Sequence, residues 1–294
     1  MKYIVRGILW LLGRLPLKVH YALSSFLAWF AGSVLRYRRD VVEINLARSF
    51  PDMKYGELKE TTKKFYRHFA DILAEAVFFG ACNRKRLMKA DLVSVANPEV
   101  LEEAMASSPS VVLLTSHCGN WEIIGGIIEY TPQPSALEAD DCVVVYRKLS
   151  SKVWDEVMKK NRTAVRSNNF GGCIESSNII RYIVEHRSEK KAYFLITDQN
   201  PYGGFSPSVH VDFLHQKAAS MSAGAGLAKK FGFSVVYQYM RPVRRGHYEI
   251  EYTLITPDAS SMTPSEIMER YYALLQRDIE SVPWNYLWTH KRWK

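Results

Sequence analysis

Val111, Val112, Leu113 and Leu114 form an unbroken run of branched apolar residues that stops at a small polar turn, Ser116-His117-Cys118-Gly119-Asn120. A strand without polar alternation is one buried on both faces, and such strands belong to sheets covered by helices on either side. Cys142 to Tyr146 and Ala192 to Thr197 are two further short apolar runs, with helical character in Ser177 to His186 between them. Strands that alternate with helices imply an α/β domain, a layered mixed sheet flanked by helices.

The remaining periodicities fill in that frame. Leu58, Thr62, Phe65, Phe69, Ile72, Leu73 and Ala76 recur three or four residues apart, with Lys59, Lys63, Lys64 and Arg67 between them, which predicts an amphipathic helix. A short helix is expected over Glu99 to Ala106 and one rich in small residues over Ser220 to Lys230. Strands are expected over Ser234 to Met240 and Tyr248 to Ile255, joined at Arg244-Arg245-Gly246. A last helix, Ser265 to Glu280, is opened by Thr263-Pro264.

The polar turn after Leu114 carries the chemistry. A histidine at the carboxyl end of a buried strand is placed to act as a general base near neutral pH, and Glu122 follows close enough to fix its tautomer. On one regular helix, five positions rotate a side chain by roughly 140°, so His117 and Glu122 converge only across a turn. Asn120 is of the type that caps a helix beginning at Ile123.

Charge is placed unevenly. Residues 1–39 hold Lys2, Arg6, Arg14, Lys18, Arg36, Arg38 and Arg39 and no acidic residue, around the uncharged run Val19 to Leu35. That run is near the lower limit of roughly 17 residues for a span. Arg36-Tyr37-Arg38-Arg39 after it argues against a cleaved leader. The expectation is a membrane-associated helical segment over 1–40, as a single anchor or an interfacial helix, ahead of one α/β domain over 41–294. A net charge of +9 points to acidic partners: an anionic membrane surface, phosphorylated glycolipids or an acidic carrier protein. Zinc-finger spacing and a continuous basic stripe are lacking, which argues against nucleic acid. Cys82, Cys118, Cys142 and Cys173 form no paired spacing and read as reduced thiols, with Cys118 a packing residue. Gly224-x-Gly226 is no dinucleotide fingerprint, no Walker A motif occurs, and His210 and His215 lack companion ligands; no metal and no cofactor is expected.

His117-Cys118-Gly119-Asn120-Trp121-Glu122 resembles the His-x-Gly-Asn-Trp-Glu signature of the bacterial lipid A biosynthesis acyltransferases, the lauroyl and myristoyl transferases of the lysophospholipid acyltransferase superfamily. Further blocks resemble that family in order: Ser49-Phe50-Pro51, Tyr146-Arg147, Arg166-Ser167-Asn168, Thr197-Asp198-Gln199, and Tyr286-x-Trp288-x-His290-Lys291-Arg292. Two positions depart from it. Phe213-Leu214-His215-Gln216 stands where many members have Phe-Phe-Gly, and Lys148 replaces a frequent proline.

The resemblance implies an O-acyltransferase that moves a fatty acyl chain from acyl-acyl carrier protein to a hydroxyl of a lipid A precursor, as a secondary acylation, at the cytoplasmic face of the inner membrane. His117 and Glu122 are then the catalytic pair. Arg147 and Arg166 are candidates to stabilise an oxyanion or hold a phosphate, and Asp198, Gln199 and Asn120 line or shape the substrate site. Other readings stay open at this point: acylation of another membrane glycolipid or aminolipid, a thioesterase, or an inert membrane lipid-binding protein. The terminal aromatic cluster suits either a headgroup interface or core packing.

Overall fold

The computed structural model describes residues 2–133, 135, 137–163, 172–201 and 209–293. Among these, the strands are β1 (Val93–Val95), β2 (Val111–Thr115), β3 (Cys142–Tyr146), β4 (Cys173–Glu175), β5 (Ala192–Ile196), β6 (His210–Phe213), β7 (Gln216–Ala219), β8 (Ser234–Arg244) and β9 (His247–Thr256). Seven of them form one sheet in the order β1-β9-β8-β2-β5-β3-β4, in which only β8 and β9 run antiparallel; β6 and β7 make a separate hairpin. The expected mixed sheet is therefore present, with β2 near its centre.

Both faces of that sheet are covered. Along β2, Val112 and Leu114 face one apolar cluster while Val111 and Leu113 face the other, and β5 divides its side chains in the same way. The first cluster is closed by α3 (Arg39–Ser49), α4 (Tyr55–Phe79), α9 (Ile179–Glu185), α10 (Ala223–Phe231) and α11 (Pro264–Ser281). The second is closed by α5 (Arg84–Ala90), α6 (Pro98–Ser107), α7 (Ile127–Tyr130) and the carboxyl end of α4. Each fully buried Val or Leu contributes about 1.5–3 kcal/mol relative to exposure, so the four on β2 tie both clusters to the strand that ends at His117. The Thr263-Pro264 start of α11 forms a capping box, with the Thr263 side chain accepting from Glu266 and the Glu266 carboxylate accepting in return.

The amino-terminal segment differs from the single apolar helix that the run Val19 to Leu35 suggests. It forms α1 (Lys2–Gly13) and α2 (Leu17–Trp29), broken at Pro16, and Phe30–Val34 winds as a π-helical turn. No helix among the described residues is long and apolar enough to cross a membrane. The reason lies in the buried edge of α2: His20, Ser24, Ala28 and Gly32 stack one turn apart against α4, and polar groups are used there. Tyr21 donates to Glu75 (2.7 Å), Ser24 donates to Asp71, and Arg245 at the β8–β9 turn clamps Asp71 and the Tyr21 carbonyl. The opposite edge exposes Ile4, Ile8 and Leu11 on α1 and Leu23, Phe26 and Trp29 on α2.

At the carboxyl end, packing wins over an interfacial arrangement. Trp288 is 0% exposed, Tyr286 and Arg292 are also buried, and the Arg292 guanidinium donates to the Tyr272 hydroxyl (2.8 Å) and the Ala219 carbonyl (2.7 Å).

The Phe213-Leu214-His215-Gln216 departure forms the β6–β7 turn, where Leu214 and His215 adopt φ of 50° and 62°. Left-handed backbone costs a residue with a Cβ roughly 1–2 kcal/mol. Leu214 is anchored by burial and its N–H bond to Gln276, whereas His215 is exposed. His215→Gly is therefore expected to stabilise the fold by about 1 kcal/mol, read as a rise in the denaturant midpoint at unchanged slope; a lower midpoint would refute the account.

Candidate active site

β2 and β5 are neighbouring parallel strands with Thr115 opposite Ile196. Each is followed by one residue and then by a candidate site residue, His117 after β2 and Asp198 after β5. Strands lie about 4.8 Å apart, so side chains at matching positions beyond two adjacent strand ends can touch. His117 Nδ1 lies 2.8 Å from Asp198 Oδ1. Burial at 1% exposure acts to raise the Asp198 carboxyl, but the imidazole beside it outweighs burial and holds the carboxyl below its ordinary range.

With Nδ1–H donated to this carboxylate, His117 Nε2 carries the lone pair that a base needs. The Gln199 amide nitrogen sits 3.2 Å from Nε2, and the Trp121 ring meets the imidazole edge-on at a centroid distance of 5.0 Å.

The expectation that Glu122 orients His117 is corrected by this geometry. Residues Trp121–Gly126 wind as a 3-10 helix, which carries Glu122 toward α8 (Lys152–Arg162). There Glu122 accepts two hydrogen bonds from Arg162, Nε to Oε2 at 2.7 Å and Nη2 to Oε1 at 2.9 Å. The helices press together so closely that a Cβ on Gly125 would lie 1.8 Å from the Arg162 carbonyl oxygen.

The turn between them is held from several sides. Asn120 caps the 3-10 helix, its Oδ1 accepting from the Glu122 N–H at 3.1 Å, while its Nδ2 donates to Glu75 at 2.8 Å. Asn120 is fully buried, so its side chain builds the turn and offers no surface to a substrate. Gly119 adopts φ +66° and donates its N–H to Asn285 Oδ1 at 2.8 Å; a Cβ there would come within 2.7 Å of the Met240 carbonyl oxygen. Only glycine meets both demands. From α11, Tyr271 donates to the Thr115 carbonyl (2.8 Å) and Tyr272 to the Thr197 carbonyl (3.3 Å), pinning the two strand ends that carry His117 and Asp198. Sequence reasoning missed Asn285, Tyr271 and Tyr272, because helical or aromatic periodicity does not reveal which carbonyl a phenol will reach.

Glu75 is the buried centre of this support. At 0% exposure it accepts from Tyr21, Tyr248 and Asn120, and burial pushes its carboxyl up to about 7 although the three donors pull it back. The folded protein thus holds this proton to higher pH than the unfolded chain, whose carboxyl titrates near 4.5. The contribution to stability is complete below the unfolded value and is lost as pH rises through the folded one. Thermal melts of the wild type should show a component that declines between about pH 4.5 and pH 7, and Glu75→Gln should remove it. An identical pH profile in the variant would contradict the assignment.

Of the other expected site residues, Arg147 follows β3, the strand on the far side of β5, and is exposed at the same edge as His117 and Asp198. Arg166 lies outside the described residues. Cys118 is buried next to Tyr286, and burial pushes its thiol well up, which fits a packing role.

The whole chain, residues 1–294, matches the family described as bacterial lipid A biosynthesis acyltransferase. The chain belongs to this family. It is an acyltransferase, and the resemblance carried by the sequence blocks is thereby established. Two similar proteins are the lipid A biosynthesis palmitoleoyltransferase of Escherichia coli (strain K12) and the lipid A biosynthesis acyltransferase of Shigella flexneri. Each is 24% identical over 290 residues, covering 98% of this chain and 89% of the relative.

Proposed function

We propose that this acyltransferase moves a fatty acyl chain from acyl-acyl carrier protein to a hydroxyl of a lipid A precursor, with His117 as general base. The observation that carries this reading is the His117–Asp198 pair at the carboxyl edge of β2 and β5. The acceptor hydroxyl oxygen attacks the thioester carbonyl carbon as His117 Nε2 takes its proton, and Asp198 stabilises the imidazolium. The tetrahedral oxyanion collapses, the C–S bond breaks, and the carrier's thiolate leaves with the proton returned from His117. Gln199 moves off Nε2 to admit the hydroxyl. Arg147, and Arg166 by the family resemblance, supply positive charge for the oxyanion or for a phosphate of the acceptor. Glu122 acts through Arg162 to brace the turn.

The acceptor is an amphiphile, and the exposed apolar edges of α1 and α2 suit an interfacial seating. The lysines and arginines of 1–39 favour the cytoplasmic face of the inner membrane, where anionic lipid attracts them.

Mass spectrometry of lipid A from cells lacking this gene, complemented with wild type or His117→Ala, tests the reading. Loss of one secondary acyl chain, restored by wild type alone, is the expected result. A purified enzyme that releases free fatty acid and leaves the glycolipid unmodified would make it a thioesterase. An unchanged lipid A profile with acylation of another glycolipid or aminolipid in vitro would move the acceptor.

A further inference from the structure

Between α2 and the amino-terminal half of α4 lies a cleft of about 510 Å³ whose ionisable lining, among the described residues, is entirely cationic apart from one tyrosine: Arg39, Lys59, Lys63 and Arg67, with no carboxylate. Lys59, Lys63 and Arg67 recur one turn apart on α4 and so form a single stripe about 12 Å long. Among the described residues neither Lys63 nor Arg67 pairs with a carboxylate, while Arg39 is tied to Glu43 at 2.7 Å. Thr62 also lines the cleft. It is 3% exposed and its hydroxyl has no hydrogen-bond partner, although a helical threonine ordinarily bonds the carbonyl one turn back. A buried hydroxyl beside a row of cations is a donor set for a tetrahedral oxyanion.

The outer wall of the cleft is Trp29, 57% exposed and continuous with Phe26 on the apolar edge of α2 and with Phe30 at the start of the π-helical turn. Aromatic rings settle where acyl chains give way to headgroups, so the mouth of this cleft stands at phosphate depth if that edge enters a bilayer. The cleft is distinct from the catalytic site: Thr62 and Glu75, the α4 residue that holds Asn120, are about 20 Å apart along the helix.

We propose that this cleft binds the phosphate of an anionic phospholipid headgroup and so seats the enzyme on membranes rich in such lipids. The proposal rests on the interfacial seating given under the proposed function. Lys63 and Arg67 neutralise the phosphate, Thr62 donates to one of its oxygens, and Trp29 packs on the upper acyl chain.

The test is partitioning of the purified full-length protein onto phosphatidylcholine vesicles carrying either phosphatidylglycerol or a carboxylate lipid without phosphate, matched in zeta potential. Wild type is expected to prefer phosphatidylglycerol vesicles. Lys63→Ala with Arg67→Ala should weaken that binding by roughly 30-fold, at about 1 kcal/mol per cation. Thr62→Val keeps charge and shape and should erase the preference for phosphate, and Thr62→Ser should restore it. Melting curves show whether each variant remains folded. Equal binding to the two charged vesicles, with Thr62→Val behaving as wild type, would mean diffuse attraction and would overturn the site while leaving membrane seating intact. Failure of wild type to bind any vesicle would instead remove the seating and the site with it. Unchanged vesicle binding with a raised KM for the glycolipid acceptor would assign the cleft to the acceptor's own phosphate and refute the proposal.

Discussion

His117→Ala is expected to lower kcat by about 10²–10⁴-fold while leaving the fold intact, because in the proposed mechanism the imidazole is the base at the reacting hydroxyl and it contributes little to the core. It projects from the end of β2 with 15% of its side chain exposed, and its partners Asp198 and Gln199 follow another strand. Removing it leaves Asp198 as a buried carboxylate without its counter-group, so a melting point lower by a few degrees accompanies the loss of turnover. The discriminating measurement is steady-state turnover of the folded variant: kcat should fall while KM for the glycolipid acceptor changes little, because the imidazole is assigned to the reacting hydroxyl and not to binding. Full turnover by a folded His117→Ala protein would end the general-base mechanism.

The second large effect separates two carboxylates that a sequence motif alone would exchange. Asp198→Asn keeps the shape of the side chain but can donate its amide to His117 Nδ1, which drives the ring proton onto Nε2, where the lone pair is needed. A loss in kcat of about 10³–10⁴-fold is expected, with KM little altered, as is typical when an orienting carboxylate is replaced. Glu122→Gln should act differently. It leaves the Arg162 guanidinium with half of its partner, and because both groups keep some solvent contact the cost is about 2 kcal/mol of stability rather than the full penalty of a buried unpaired charge. Well below its melting temperature the Glu122 variant should retain much more activity than the Asp198 variant. The reverse ranking, with both proteins folded, would return the orienting role to Glu122.

The contrast also marks how far the sequence could be read. Strands β2, β3 and β5 are legible as unbroken apolar runs, and the long α4 and the capped α11 as helical burial periods, with local chemistry marking where they begin. His117 is legible as a candidate base because it stands in the polar turn that ends a buried strand. Its partner is not. Asp198 is distant in the chain and arrives only because β5 pairs with β2 in parallel, a choice of neighbour that no local pattern encodes. The placement of Glu122 on Arg162 is hidden from the sequence for a related reason: a few residues of 3-10 winding turn it that way, and a 3-10 turn has no strong sequence signature. Val19 to Leu35 was legible as apolar, but its division into a buried edge with Ser24 and an outward edge with Phe26 depends on the carboxyls of α4 beneath it.

The clasp formed by Tyr21, Ser24 and Arg245 on Glu75 and Asp71 fastens α2 to α4. Lifting α2 away would bare two carboxyls and part the phenol of Tyr21 from Glu75, so the helix pair and the catalytic turn travel together. Whatever surface the apolar edge of α1 and α2 comes to rest on, His117 is then carried at one set height above it, with α4 as the strut. An acceptor whose hydroxyl lies at that height is presented to the base without any search by the protein, and one whose hydroxyl lies deeper or shallower is not. Substrate choice would in that case be made partly by depth, a coordinate that the shape of the catalytic turn does not contain.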